Sequence, residues 1–197
     1  MVMQKGTTIR PAEGKLGVLL PGLGAVATTV IAGVEAVRRG LGNPKKKPIG
    51  SLSQMGRIRL GKRTENRNPL IREFVPLSTL DDIVFGGWDI FPDSAYDAAA
   101  HAGVLSREDL AEVRPYLEQV RPMPGVFEPS YVKKLSGTYV KQGKSKRDLV
   151  EQLMADIANF KAQNGVSRCV AVWCGSTEIY QQPTECHSSL AAFEKGL

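Results

Sequence analysis

The chain has 197 residues, 42% hydrophobic and 23% charged, with a formal net charge of +6. That is an ordinary globular composition, with room for one domain and a core of its own. It excludes a membrane-spanning helix, since no apolar run approaches the ~18 residues such a helix needs. It also excludes a disulfide-stapled scaffold, because Cys169, Cys174 and Cys186 are odd in number and share no framework spacing. Reduced thiols and an N-terminus without a signal-peptide core set the expectation of a cytoplasmic protein. A C-x4-C pair with only His101 and His187 elsewhere makes a poor zinc site, so no metal is expected.

Residues 1–14 read as an N-terminal arm. Lys15 to Arg39 then reads as a buried strand, a glycine turn and a helix. Leu16, Val18, Leu19 and Leu20 form an apolar run of strand length. Gly22-Leu23-Gly24-Ala25-Val26-Ala27 fits the dinucleotide fingerprint G-x-G-x-x-A. Gly22 would permit the sharp turn. Gly24, lacking a Cβ, would let backbone approach a pyrophosphate, and Ala27 would let helix and strand pack closely. The helix start offers free N–H groups and a positive dipole end. An ordinary tight turn between strand and helix is the other reading of the same residues. Val30, Val34 and Val37, with Ile31 beside them, form the apolar stripe of this helix, and close packing on a sheet would explain Gly33. Arg38 and Arg39 suit the C-terminal dipole, and Gly40 or Gly42 can cap it.

Residues 41–75 hold nine Lys/Arg against Glu65 and Glu73, a net +7 that exceeds the charge of the whole chain. A solvated surface or subunit contact, a site for a phosphorylated small molecule and a nucleic-acid patch all remain open. The last is disfavoured by the lack of aromatic residues before Phe74, which leaves no base-stacking platform. Alternation around Ile58 and Leu60 predicts a short strand or hairpin arm over 51–62, and Phe74–Leu77 a short strand.

Ile83 to Trp88 is a second strand, ending in Asp89. An acidic residue at such a strand end is where dinucleotide folds grip a ribose hydroxyl. Asp89, however, follows Gly22 by 67 residues, against the ~20 of the simplest fingerprint. Either residues 43–80 are a basic insertion before the next sheet strand, or Asp89 is an unrelated strand end. Ser94-Ala-Tyr-Asp97 opens a helix running to Gly103. Ser106 opens another, with Leu110, Val113 and Leu117 on one face and a kink at Pro115. Residues 121–126 read as a Pro-rich crossing loop, and 133–147 as a loose basic connection. Ser145 starts an amphipathic helix with Leu149, Leu153, Ile157 and Phe160 as its core stripe, closed by Gly165. Arg168 to Trp173 is a third strand, running into Cys174-Gly175-Ser176-Thr177, either a ligand-lining loop or a plain turn. His187 to Lys195 begins a helix. Crossovers between the strands predict an α/β fold with a Rossmann-like, mostly parallel sheet. Its ligand edge would collect Gly22, Gly24, Asp89 and the 174–177 loop.

MGRIRLGKRTENRNPLIREFVPLSTLDDIVFGGWDIFPDSAYDAA (Met55–Ala99), RPMPGVFEP (Arg121–Pro129) and VWCGSTEIY (Val172–Tyr180) resemble the amino-terminal part of the bacterial branch of the myo-inositol-1-phosphate synthase family. The resemblance implies an NAD-dependent isomerase converting glucose 6-phosphate to inositol phosphate. NAD oxidises the C5 hydroxyl, C6 loses a proton and attacks the C1 aldehyde, and NADH reduces the ketone again. It implies cofactor-binding roles for Gly22, Gly24, Ala25 and Val26 under the pyrophosphate, Asp89 at the adenosine ribose and Val126 at the adenine end. Cys174, Gly175, Ser176 and Thr177 would border the cofactor. The chain departs from the family where GLGAVA replaces a longer Asn-containing loop, and where CGSTE stands for TANTE. The family's enzymes run to roughly twice this length and assemble as tetramers. No catalytic residue is therefore expected within residues 15–197, a truncated NAD-binding domain inactive by itself. A non-enzymatic nucleotide-binding module, or a nucleic-acid binder using residues 41–75, is the alternative function.

Overall fold

Leu19 and Leu20 are neighbours in sequence and both are buried, at 1% and 3% exposure. Successive strand residues point to opposite faces, so a strand with both buried has something packed on each side. That strand is β1, Lys15–Pro21. The computed structural model describes residues 13–41, 76–132, 134–175 and 179–196. Among them β1 is central: it pairs in parallel with β2, Ile83–Asp89, on one side and with β4, Val166–Ala171, on the other. A two-residue strand, β3 (Met123–Pro124), extends the sheet beyond β2, giving the order β3-β2-β1-β4. All pairings are parallel, the order of one Rossmann half plus the first strand of the next.

Two layers cover the sheet. Helices α1 (Ala25–Arg38), α2 (Ala95–Ala102) and α3 (Arg107–Leu117) share a core with Leu20 and Leu23. Helix α4 (Lys146–Asn164) contributes Phe160 to a second core with Leu19, Trp88 and Val166. The Phe160 ring fits because β2 carries Gly86 beneath it; a Cβ there would stand 2.6 Å from Phe160 Cε2. A short helix, α5 (Leu190–Lys195), ends the described chain.

The caps foreseen from sequence are formed. The Ser94 hydroxyl accepts from the Asp97 N–H while the Asp97 carboxylate accepts from the Ser94 N–H, a reciprocal capping box. Ser106 and Ser145 cap α3 and α4 one way, each hydroxyl accepting from the N–H three residues on, of Asp109 and Asp148. Helix α1 closes with Gly40 N–H donating to Val37 O and Leu41 N–H to Ala36 O, a Schellman pair. Arg38 does more than face the helix dipole. Its guanidinium donates to Glu35 and to the carbonyls of Leu80 and Ile83, tying the end of α1 to the start of β2.

Several expectations are corrected. The buried face of α1 runs through Ala27, Ile31 and Val34, while Val30 is 49% exposed, so the stripe is rotated from the valine row. Gly33 has no neighbour within 4 Å of a hypothetical Cβ, so close packing does not account for it. The supposed crossing loop 121–126 contains β3, whose pairing sits at the sheet margin where Pro124, lacking an N–H, is tolerated. The connection 133–147 is not loose throughout. Tyr139 N–H donates to Ile90 O and Lys141 N–H to Gly125 O, docking it on the edge of β3. Strand β4 begins two residues earlier than expected, at Val166. Pro76 and Leu77 are irregular, and the rest of the 74–77 strand and all of the 51–62 arm lie outside the described residues.

Candidate nucleotide-binding site

In a parallel sheet every carboxyl end falls on one edge. Here that edge brings together the turn after β1, Asp89 at the end of β2, Val126 just past β3, and Cys174 just past β4. The spacing puzzle at Asp89 resolves through topology: β2 is hydrogen-bonded directly to β1, with Trp88 opposite Pro21.

The turn itself is held at several points. Gly22 has φ +89, a conformation L side chains rarely adopt, and its N–H donates to Trp88 O at 2.9 Å. A Cβ on it would lie 3.0 Å from Gly175 N and 3.1 Å from the Cys174 carbonyl carbon. Cys174 N–H donates to Pro21 O at 2.9 Å, so the chain leaving β4 is fastened against the glycine turn. The Cys174 side chain packs on the core beneath α1. On the other side, Leu23 N–H donates to Asp89 Oδ2 at 2.6 Å, and Phe91 N–H to Asp89 Oδ1 at 3.1 Å. Both carboxylate oxygens thus hold backbone, each with lone pairs to spare.

Gly24 is a different case. Its φ is −86 and a Cβ would meet nothing within 4 Å. The fold does not require glycine there. As the residue preceding α1 it provides no side-chain cap, where Ser, Thr, Asp or Asn would be preferred. Ala25 and Val26 are exposed, and among the described residues nothing accepts from the N–H groups of Ala25, Val26 or Ala27. Ala27 is fully buried, letting α1 approach the sheet. The helix start is therefore a bare, open row of donors at the positive end of a dipole, a setting suited to phosphate.

Val126, 42% exposed, follows Gly125, whose N–H donates to Asp89 O at 2.9 Å and to Tyr139 O at 3.2 Å. Ser176 and Thr177 lie outside the described residues, as does the basic stretch from residue 42 to 75. Sequence reasoning missed Gly125, Tyr139 and Lys141 as supports of this edge. A glycine after Pro122 and Pro124 was the available signal for the first. Among the described residues no group of three His, Cys, Asp or Glu side chains is arranged to hold a metal ion, and no helix is long and apolar enough to cross a membrane.

A parallel α/β sheet with this order, a glycine turn feeding a bare helix N-terminus and an acidic residue ending the adjacent strand define a Rossmann-like dinucleotide-binding domain. The NAD-binding family model of myo-inositol-1-phosphate synthase matches residues 16–197. The chain is 49% identical over 190 residues to inositol-3-phosphate synthase 1 of Bacteroides thetaiotaomicron, covering 96% of this chain and 43% of that protein. It is 36% identical over 177 residues to inositol-3-phosphate synthase isozyme 1 of Arabidopsis thaliana, covering 84% of this chain and 34% of the relative. The solved structure of inositol-3-phosphate synthase from Caenorhabditis elegans matches the fold with a TM-score of 0.79 at 23% identity, over 95% of this chain and 39% of that one.

The chain belongs to the myo-inositol-1-phosphate synthase family and corresponds to its NAD-binding part. It spans less than half the length of these relatives. The family assignment favours the NAD-binding part of a synthase over the alternatives of a non-enzymatic nucleotide-binding module or a nucleic-acid binder.

Proposed function

We propose that the carboxyl edge of the sheet holds NAD as part of an inositol-3-phosphate synthase acting on glucose 6-phosphate. The observation that carries this is Gly24: a glycine with no steric or conformational reason of its own, at the mouth of an uncapped helix. A side chain there would occupy the space in which a pyrophosphate meets the N–H groups of Ala25 and Val26. Bound NAD supplies the hydride acceptor and donor for an oxidation and a later reduction of the same sugar carbon.

The work of this chain is to bind and orient. Gly22 and Gly24 shape the phosphate loop. Asp89 keeps Leu23 N–H in place and offers its remaining lone pairs to the adenosine ribose hydroxyls. Val126 lines the adenine end. Cys174 and Gly175 wall the crevice on the β4 side, with Ser176 and Thr177 continuing that border. We assign no catalytic residue to residues 15–197, and the chemistry on the sugar falls to parts of the longer family proteins outside this chain. A cytoplasmic location, a homotetramer, an arm at 1–14 and a basic insertion at 43–80 belong to the same reading.

Isothermal titration of the 197-residue chain tests it. Saturable NAD binding that is weakened or lost in Gly24→Thr, a residue as good as glycine at a helix cap, with an unlowered unfolding midpoint, is the expected result. Absence of NAD binding by the folded chain would overturn it. Formation of inositol phosphate from glucose 6-phosphate by this chain alone would overturn the assignment of the chemistry to other parts.

A further inference from the structure

Asp156 lies on α4, on the face of the sheet opposite α1, yet its contacts lead straight to the nucleotide edge. Its Oδ2 accepts from the Trp88 indole Nε1–H at 2.7 Å and pairs with Lys141 Nζ at 2.8 Å. The Lys141 side chain is 9% exposed and that of Asp156 19%, so the pair is largely withdrawn from water. Withdrawing two charges costs several kcal/mol per ion unless they satisfy each other. Capping the indole alone would not need a charge, since a neutral amide oxygen accepts equally well. The ionised carboxylate is explained by Lys141.

What the pair joins is informative. Trp88 O accepts from Gly22 N–H, and the next residue, Asp89, accepts from Leu23 N–H. Lys141 N–H donates to Gly125 O, and Gly125 N–H donates to Asp89 O. One carboxylate therefore clamps the end of β2, to which the turn after β1 is hydrogen-bonded, to the 139–141 segment that docks on Gly125 beside Val126.

We propose that Asp156, through Lys141 and Trp88, is a positioning residue for the NAD site, setting the spacing between the glycine turn and the adenine end. This rests on the NAD reading above, and its physical basis is that supporting hydrogen bonds hold binding groups within the tolerance that recognition requires. The test uses the 197-residue chain with Asp156→Ala, Asp156→Asn and Lys141→Met. Amide hydrogen exchange of Gly22 and Leu23 is compared with that of Val172, whose N–H donates to Leu19 O on the other side of β1. NAD affinity is measured at a temperature where each variant is folded.

In Asp156→Ala, Gly22 and Leu23 are expected to exchange about tenfold faster relative to Val172, and the NAD Kd to rise about tenfold, as for loss of a charge-assisted hydrogen bond. Lys141→Met combined with Asp156→Ala should recover part of the affinity, since no buried ammonium is then left unpaired. Uniform exchange across β1 with unchanged Kd would show Asp156 to be merely structural and overturn the proposal. If Asp156→Ala does not fold, Asp156→Asn decides by the same two comparisons. If the parent chain binds no NAD, the cofactor reading falls, while the exchange ratio still decides whether Asp156 sets the turn.

Discussion

The Leu23 N–H donates to Asp89 Oδ2 at 2.6 Å, so the acidic residue that ends β2 is also the clasp of the loop that follows β1. On the proposed NAD reading this side chain has a recognition task besides its structural one, and substitutions should separate them. Asp89→Ala loses the clasp and the ribose acceptor together. Its NAD affinity should fall roughly 10- to 100-fold, the equivalent of one charge-assisted hydrogen bond of ~1.5–3 kcal/mol. Asp89→Asn keeps an oxygen facing Leu23, and should retain the fold with an intermediate loss. Titration calorimetry beside thermal unfolding checks both, and equal affinity in Asp89→Ala and the parent chain would remove Asp89 from the site.

The two glycines of the turn should respond in opposite ways. Gly22→Ala forces a side chain into φ +89 and against Cys174 and Gly175. It should cost at least about 1–2 kcal/mol of stability from the backbone conformation alone. Gly24→Ser puts a capping hydroxyl before α1 where there is open space, and should raise stability by a few tenths of a kcal/mol. The same hydroxyl stands in the phosphate path, so NAD binding should weaken. A more stable protein with poorer cofactor affinity is the outcome to look for in paired denaturation and binding curves.

Phe160 is the one buried residue of α4, lying over Gly86 in the second core. Phe160→Ala should destabilise by about 3 kcal/mol, within the range for truncating a buried aromatic residue. Chemical denaturation should show it as a lower midpoint at an unchanged slope.

Acid should unfasten α2. The Ser94 hydroxyl, and then the Ser94 backbone N–H, hold the Asp97 carboxyl below the ordinary aspartate range. A carboxyl with a depressed folded value contributes stability above its unfolded value, near pH 4, and loses it as pH falls through the folded value. The parent chain should therefore lose stability relative to Asp97→Asn from about pH 4 downward. Unfolding curves at several pH values check this. In Ser94→Ala the Asp97 titration, followed by NMR, should move up towards the ordinary value. Asp148, held down first by the Lys144 backbone N–H and then by the Gln152 side chain, should follow the same direction.

Much of this was legible because local rules and tertiary fold agree. Gly22, the Ser94, Ser106 and Ser145 caps and the apolar runs of β1 and β2 are each decided within a few residues. The misses share a cause. Strand β3 is two residues long and carries a proline, so it has no periodicity to read; only its pairing with Trp88 and Asp89 defines it. Tyr139 and Lys141 look like loop residues until Gly125 and Ile90 are placed beside them. The valine row of α1 misled because Ala27 and Ala32, small but fully enclosed, mark the buried face more faithfully than Val30. Asp89 was ambiguous because spacing along the chain says nothing of adjacency once residues 42–75 intervene.

The position of β1 has a consequence for how the protein is made. Among the described strands it is made before its partners, which begin only at Ile83 and Val166. At ordinary elongation rates it waits roughly ten to thirty seconds for its second neighbour. Through that interval Leu19 and Leu20 sit on an unfinished, slow, non-local sheet that other chains can poach. The crevice drawn from residues 22, 89, 126 and 174 cannot exist before β4 has been made. On the NAD reading proposed above, the cofactor would stabilise molecules by mass action once the sheet has formed, and could not template that sheet.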